Sequence, residues 1–423
     1  TWTDIGRGIP EGDFLRSVRE DPVRRGLLYA ATERGIWISW DNGVSWESLR
    51  LNLPVVQVSD VAVNENDVVI ATHGRSFYVL DYGAHLLRQM NELPTRTASA
   101  PNAAWTPAGD EETQGTARLF RPANPTRGVD PGVTVYYSLE RPAQRLTLEF
   151  LDAQGKLIRS FAARAPGDTV RQRGGAAAGG GGEEEDAGPR QPRDAPNRAG
   201  MNRFTWNLRH PGPTGFPGMI LWAADTALGP MALPGNYTVR LVTDGQRLTQ
   251  PFAIRLDPRV KGVSEADLRK RFDFAMQIRN RTSEANEAVL LIRGVKQQVD
   301  DRLAKTQDAE VRQSAEALRR RLSDVEDRIY QVRLQSGQDP LNYPIRLNNK
   351  LAALLGHVER AESAPTAQSY EVFRELSAQL DRELTAINTV LAQNLEPLNQ
   401  RLRATGLQPV TRTPLQTAAV TPR

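Results

Sequence analysis

The chain has 423 residues, 39% hydrophobic and 25% charged, with no cysteine and a net charge of +4. It is too long for one ordinary domain and apolar enough to bury real cores, so several domains are expected. Acids and bases are interspersed, with no Lys/Arg block threaded by aromatics, which argues against a nucleic-acid partner. No stretch reaches the roughly 18 apolar residues of a membrane span, and disulfides and thiolate metal sites are excluded.

The N-terminal part repeats. Trp2 and Trp46 lie 44 positions apart, and a proline follows each by eight, Pro10 and Pro54. After each proline come an alternating stretch (14–18 and 56–63), a second ending in Ala-Thr (28–32 and 68–72) and a third (36–39 and 77–80). Short strands joined by tight turns and recurring at about 40 residues predict four-stranded antiparallel units in series. The turn after the third strand reads Ser39-Trp40-Asp41-Asn42-Gly43-Val44-Ser45-Trp46. An aspartate there can accept bonds from its own turn, and glycine supplies the positive φ that closes the hairpin. A calcium loop would need further ligand positions that this segment lacks. Its counterpart in the next unit has decayed to Asp81-Tyr82-Gly83.

This eight-residue pattern resembles the Asp-box, or BNR, repeat of sialidase-like and sortilin-like β-propellers. The resemblance implies that residues 1–90 are the terminal one to two blades of a propeller whose remainder lies upstream, as the opening Thr1-Trp2-Thr3-Asp4 in mid-repeat also suggests. It further implies that Ser39, Asp41, Gly43 and Trp46 form a structural clasp away from the ligand site. Successive hairpins of a blade point to opposite faces, so the loops Glu33-Arg34-Gly35 and His73-Gly74-Arg75-Ser76 face away from the Asp-box. In the resembled propellers that face holds the ligand. His73, Arg75, Glu33 and Arg34 are therefore the candidate binding residues, since imidazole and guanidinium suit an anionic or hydroxyl-rich ligand. The same side chains could instead satisfy loop carbonyls or pair across blades.

Residues 91–113, rich in Pro, Ala, Thr and Asn, read as a linker. From 114 to 258 strand patterns return at 117–120, 133–139, 146–151, 157–162, 203–208, 236–243 and 248–256, predicting a β-sandwich. Its spacing from Trp206-Asn207 to Pro234-Gly235-Asn236-Tyr237 resembles immunoglobulin-like domains of bacterial secreted proteins. Within it, 166–199 is Gly/Ala-, Glu- and Pro/Arg-rich, with too little apolar surface to offset ordering, and reads as a disordered insertion. The apolar stretch 216–222 is either a sugar-stacking platform, through Phe216 and Trp222, or a packing segment. The latter is favoured because no polar residues alternate with it.

After Pro258 the hydrophobic period shifts from two to about 3.5. Ser264 to Asp267 makes a capping-box start, and the seam from Leu268 to Leu303 is interrupted by Arg279 and Thr282. Further helices are predicted over Val311 to Val332, around Leu347 to Val358, and from Thr366 past Leu398. Together they form an antiparallel bundle over 263–405, followed by a flexible tail, 406–423. The bundle can satisfy its own seams, so homo-oligomerisation is not favoured.

The order of blades, sandwich and bundle is similar to the C-terminal regions of large bacterial Asp-box proteins, some called glycosyl hydrolase-like. That likeness implies an extracellular or periplasmic protein binding a glycan or peptide. The alternatives are a glycoside hydrolase with its carboxylates mainly in upstream blades, Glu33 being the one carboxylate on a suitable loop of the blades in this chain, and an assembly scaffold. His73, His85, His210 and His357 show no metal spacing and no cofactor motif occurs, so no cofactor or metal is expected.

Overall fold

The computed structural model describes residues 3–90, 117–163, 194–224 and 227–414. The expected linker, most of the insertion and the last residues of the tail fall outside them. The protein is a multidomain α/β chain of antiparallel sheets, none closed on itself among the described residues, and helices.

The repeat folds as two small sheets. In the first, β1 (Leu15–Glu20), β2 (Leu28–Thr32), β3 (Gly35–Ser39) and β4 (Glu47–Ser48) are ordered 1-2-3-4. In the second, β5 (Val58–Asn64), β6 (Asp67–Thr72) and β7 (Phe77–Leu80) are ordered 5-6-7. One core joins them: Tyr29, Ala31, Ile36 and Ile38 from the first sheet meet Val58, Val61, Val68 and Ile70 from the second. The decayed counterpart is a turn at Asp81 and Tyr82, and directly after it Gly83–Met90 forms helix α1. Ala84 and Leu87 close the same core.

Two further sheets bury a second core. One is ordered 11-10-13-14 and comprises β10 (Leu146–Leu151), β11 (Leu157–Ala162), β13 (Gly235–Thr243) and β14 (Gln246–Ile254). The other is ordered 12-9-8 and comprises β8 (Ala117–Leu119), β9 (Val133–Leu139) and β12 (Gly200–Trp206). Phe150 lies at the centre, with Trp206 at 4.6 Å and the rings of Phe161, Phe204 and Phe252 around it. The disordered stretch was expected to run to residue 199, but 194–199 pack. Ala195 is buried, Tyr137 donates to the Pro196 carbonyl, and Asn197 exchanges two hydrogen bonds with Ala143.

The helices are α2 (Glu265–Leu303), α3 (Ala309–Ile329), α4 (Leu347–Glu359) and α5 (Ala367–Ala404). Ser264 and Asp267 form the reciprocal capping box. α2 has 39 residues and so spans about 58 Å, more than either α3 or α4 can cover alone. α3 packs beside Ala285 to Val299 of α2, while Leu354, Leu355 and Val358 of α4 pack beside Phe274 to Ile278. The long partner α5 reaches both regions, through Leu376 to Leu402 and through Phe373. The two polar breaks in the α2 seam are both engaged. Thr282 donates to the Ile278 carbonyl within its own helix, and Arg279 donates to the carbonyls of Pro211 and Gly212.

The expected flexible tail is, as far as residue 414, part of the bundle. Val410 is buried in the helical core with Leu407 beside it, and Asn399 brackets Val410 with two hydrogen bonds. Leucine and valine three positions apart supply apolar anchors that a Pro/Thr-rich composition obscures.

Candidate functional site

The two ends of the first sheet differ chemically. At one end the turn from β3 to β4 is clasped by Asp41. Its carboxylate accepts from Ser39 Oγ at 2.8 Å, Ser45 N at 2.9 Å and Ser45 Oγ at 2.5 Å, while Ser39 Oγ accepts from Gly43 N. Asn42 and Gly43 take φ of 59° and 86°, the left-handed pair that a tight hairpin demands. Partial burial pushes the Asp41 carboxyl up, but the hydrogen bonds from Ser45 and Ser39 outweigh it and hold the group below the usual carboxylate range. Trp46 is buried; its indole donates to Ile5 O at 2.7 Å and its backbone N–H to Arg7 O at 2.8 Å. The carboxylate and hydroxyls of this turn are spent on the turn itself, so they have little left to offer a ligand.

The register places the candidate loops at the other end. β2 and β3 pair from Leu28↔Ser39, beside the clasp, to Thr32↔Gly35, beside Glu33 and Arg34. Four residues of strand separate the ends by about 13 Å. β1 begins opposite Thr32 and β5 begins opposite Thr72, and these two strands lie together: Ser17 Oγ donates to Asp60 at 2.7 Å, and Arg19 donates to both Asp60 oxygens at 3.0 and 3.2 Å. The Glu33–Arg34 loop and the His73–Ser76 loop therefore share one end of the sheet pair.

The four candidates are not equivalent. Glu33 is ion-paired with Arg16. Arg34, His73 and Arg75 are exposed, and among the described residues their side chains make no hydrogen bond or ion pair. The loops beneath them are fixed by hydrogen bonds to the backbone. Arg34 N donates to Thr32 Oγ1, His73 N to Gln57 O, and Thr72 Oγ1 donates to Ser76 O at 2.6 Å. Gly74 and Ser76 adopt φ of 78° and 65°.

Sequence reasoning missed four polar residues nearby. Asp13 accepts from Thr32 Oγ1 at 3.0 Å and Trp37 Nε1 at 3.3 Å, and its other carboxylate oxygen is buried without a partner. Ser17, Arg19 and Asp60 form the cluster described above. The hydrogen bond from Ser17 is the leading reason that the Asp60 carboxyl lies below its usual range. Their proximity comes from β1 lying beside β5, which neither strand's alternation reveals.

Between α1 and the β8–β9 region, a cleft lined by Tyr82, His85, Gln89, Arg121 and Tyr136 leaves about 10 Å³, room for one water at most. Phe216, weighed as a sugar platform, is buried edge-on against Tyr330 at 5.0 Å with Arg293 over its ring at 4.7 Å, so it packs. Trp222 is half-buried, and its backbone exchanges hydrogen bonds with the Asn349 side chain at 2.7 and 2.8 Å. Among the described residues no three His, Asp or Glu side chains are grouped to hold a metal, and no helix is long and apolar enough to cross a membrane.

No protein-family profile and no curated protein matches the chain. Among solved structures, a match is the extracellular domain of the hybrid two-component system BT4673 from B. thetaiotaomicron. The identity is 9%, with 59% of this chain and 26% of that chain covered, and the TM-score is 0.15. The chain thus spans about a quarter of the length of that protein.

Proposed function

We propose that this chain is the C-terminal part of a secreted or periplasmic β-propeller protein that binds a glycan or peptide at the end of the sheet pair opposite Asp41. One observation carries the reading: Arg34, His73 and Arg75 lie on loops at that end, exposed and, among the described residues, without hydrogen-bond or ion-pair partners, while the opposite turn consumes its own polar groups. Unpaired guanidiniums on loops held by backbone bonds are suited to carboxylate or hydroxyl groups. The compartment and the propeller assignment rest on the Asp-box resemblance.

The test is binding of the protein to glycan and peptide arrays, repeated with His73→Ala and Arg75→Ala. Loss of the bound ligand in either variant is expected. Retention of every ligand in both would sink the assignment.

A scaffold reading has its own support, because a buried charge network joins the sandwich to the bundle. Arg127 and Arg271 pair with Glu362, and Arg209 pairs with Glu359 at 3.0 Å. The glycoside hydrolase reading draws no comparable support: Glu33, its one candidate carboxylate, is committed to Arg16.

A further inference from the structure

Strand β11 lies at the edge of the four-stranded sandwich sheet and carries a bulge. Leu151 pairs with Leu157 and Phe150 with Arg159, which leaves Ile158 as the extra residue. Bulges at sheet edges re-aim side chains. Here Arg159 stands opposite Phe150, so it leaves from the face that builds the core, with its guanidinium 5.1 Å from the centre of the Phe161 ring. It is half-buried and makes no hydrogen bond or ion pair among the described residues, and its Nη1 is buried without a partner. Burial lowers its pKa, and no carboxylate among the described residues offsets that.

A desolvated cation without a counter-ion is costly, and the surroundings add positive charge. Lys156, at the end of the β10–β11 turn, is exposed, and its amine has no partner among the described residues. The carboxylate of that turn, Asp152, is committed to Gln154 N at 3.0 Å and Lys156 N at 2.9 Å. His210 packs on Phe272, and Arg279 donates to the carbonyl of the adjoining Pro211 at 3.1 Å. Burial first, then the charges of Arg279, Lys156 and Arg159, push the His210 pKa down, while Asp152 opposes them. The imidazole makes no hydrogen bond among the described residues.

We propose that Arg159, Lys156 and His210 form a binding site for a small hydroxycarboxylate. The guanidinium takes the carboxylate and Lys156 adds charge. The neutral imidazole has one donor and one acceptor for a neighbouring hydroxyl. A phosphate dianion is the costlier guest at a half-buried position. An inward charge on an edge strand can also discourage pairing between chains, but that role calls for a solvated charge, whereas Nη1 is buried. The site lies in the sandwich and does not depend on the loops that carry His73 and Arg75.

The test titrates D-glucuronate into the 423-residue chain, with D-glucose and inorganic phosphate as comparison probes. The melting temperature and the ring signals of the four histidines in NMR are followed, with His210 assigned by its loss in His210→Gln. Glucuronate is expected to raise the melting temperature. It should also move the His210 pKa upward from about 4, because a bound anion offsets the surrounding cations. Arg159→Met should raise the melting temperature of the ligand-free chain, since it removes an unpaired cation, yet weaken glucuronate binding at least about tenfold. His73→Ala should leave that binding unchanged. An unmoved His210 titration, or equal binding of glucose or phosphate, would overturn the proposal. Full glucuronate binding by Arg159→Met would overturn it too, and self-association of that variant would then assign Arg159 to edge protection.

Discussion

Gly8 shows how far the hairpin clasp constrains its surroundings. It has φ of 108°, and a β-carbon there would lie 2.2 Å from the Trp46 carbonyl oxygen. Backbone cannot yield as a flexible side chain can, so Gly8→Ala combines left-handed strain with a clash. We expect a loss of at least about 2 kcal/mol in the first sheet, measured by urea unfolding. Gly74 is the control: φ is 78° but no atom lies within 4 Å of its would-be β-carbon. Gly74→Ala should cost only about 1 kcal/mol. His210 gives a prediction in pH. Burial, with Arg279 adding to it, lowers its pKa from 6.5 to about 4, and its ring lies 4.9 Å from Phe272. The folded state holds this imidazole neutral while the unfolded chain protonates it near 6.5. Its contribution is therefore complete above that pH and is lost as pH falls toward 4, by at most about 3 kcal/mol. His210→Phe should flatten the stability profile across this window, as followed by denaturation at a series of pH values. An unchanged slope would show that His210 is not held neutral.

Segment 209–222 is the element that ties the sandwich to the helices. Thr214 accepts from Asn286 and donates to Glu287, Ile220 N donates to Tyr330, and Phe216 fills the space beside Tyr330. Phe216→Ala should cost about 3–5 kcal/mol by opening a cavity in the helical core, with the loss seen in the thermal transition of the helices. The helices and sandwich strands were legible because their periods persist over many residues and the caps are local. The role of 216–222 was legible as packing, but its partners were not, since Tyr330 lies 110 positions beyond Ile220. Helix α1 was obscured by its position after a repeat whose third strand normally turns into a hairpin. For the candidate site, the loops could be placed from turn counting alone. Asp13, Arg19 and Asp60 could not, because which strands become neighbours is decided by packing between sheets.

At the scale of the molecule, the two joints are built from different chemistry. The sheet pair meets the sandwich mainly through α1: His85 and Gln89 bond the Arg121 backbone, and Arg118 donates to the Gln89 carbonyl. These are neutral or partly exposed hydrogen bonds, each contributing about 1 kcal/mol net. The sandwich meets the bundle through desolvated charge. Arg127 and Arg271 are each 2% exposed, and Glu359 accepts from Arg209 and from Met231 N as well as lying 4.0 Å from Arg271. Removing one partner from such a set strands the others, at a cost of about 3–5 kcal/mol, whereas the intact set need not add net stability. The sandwich and bundle should therefore unfold as one unit and the sheet pair as another. Calorimetry should show two transitions. Trp37, Trp40 and Trp46 report the sheet pair, while Trp206 and Trp222 report the sandwich and its junction with the helices. Glu359→Ala should lower the sandwich–bundle transition and leave the other in place, and Gln89→Ala should barely move either. A single transition that Glu359→Ala shifts as a whole would mean that α1 couples the parts far more strongly than its hydrogen bonds imply.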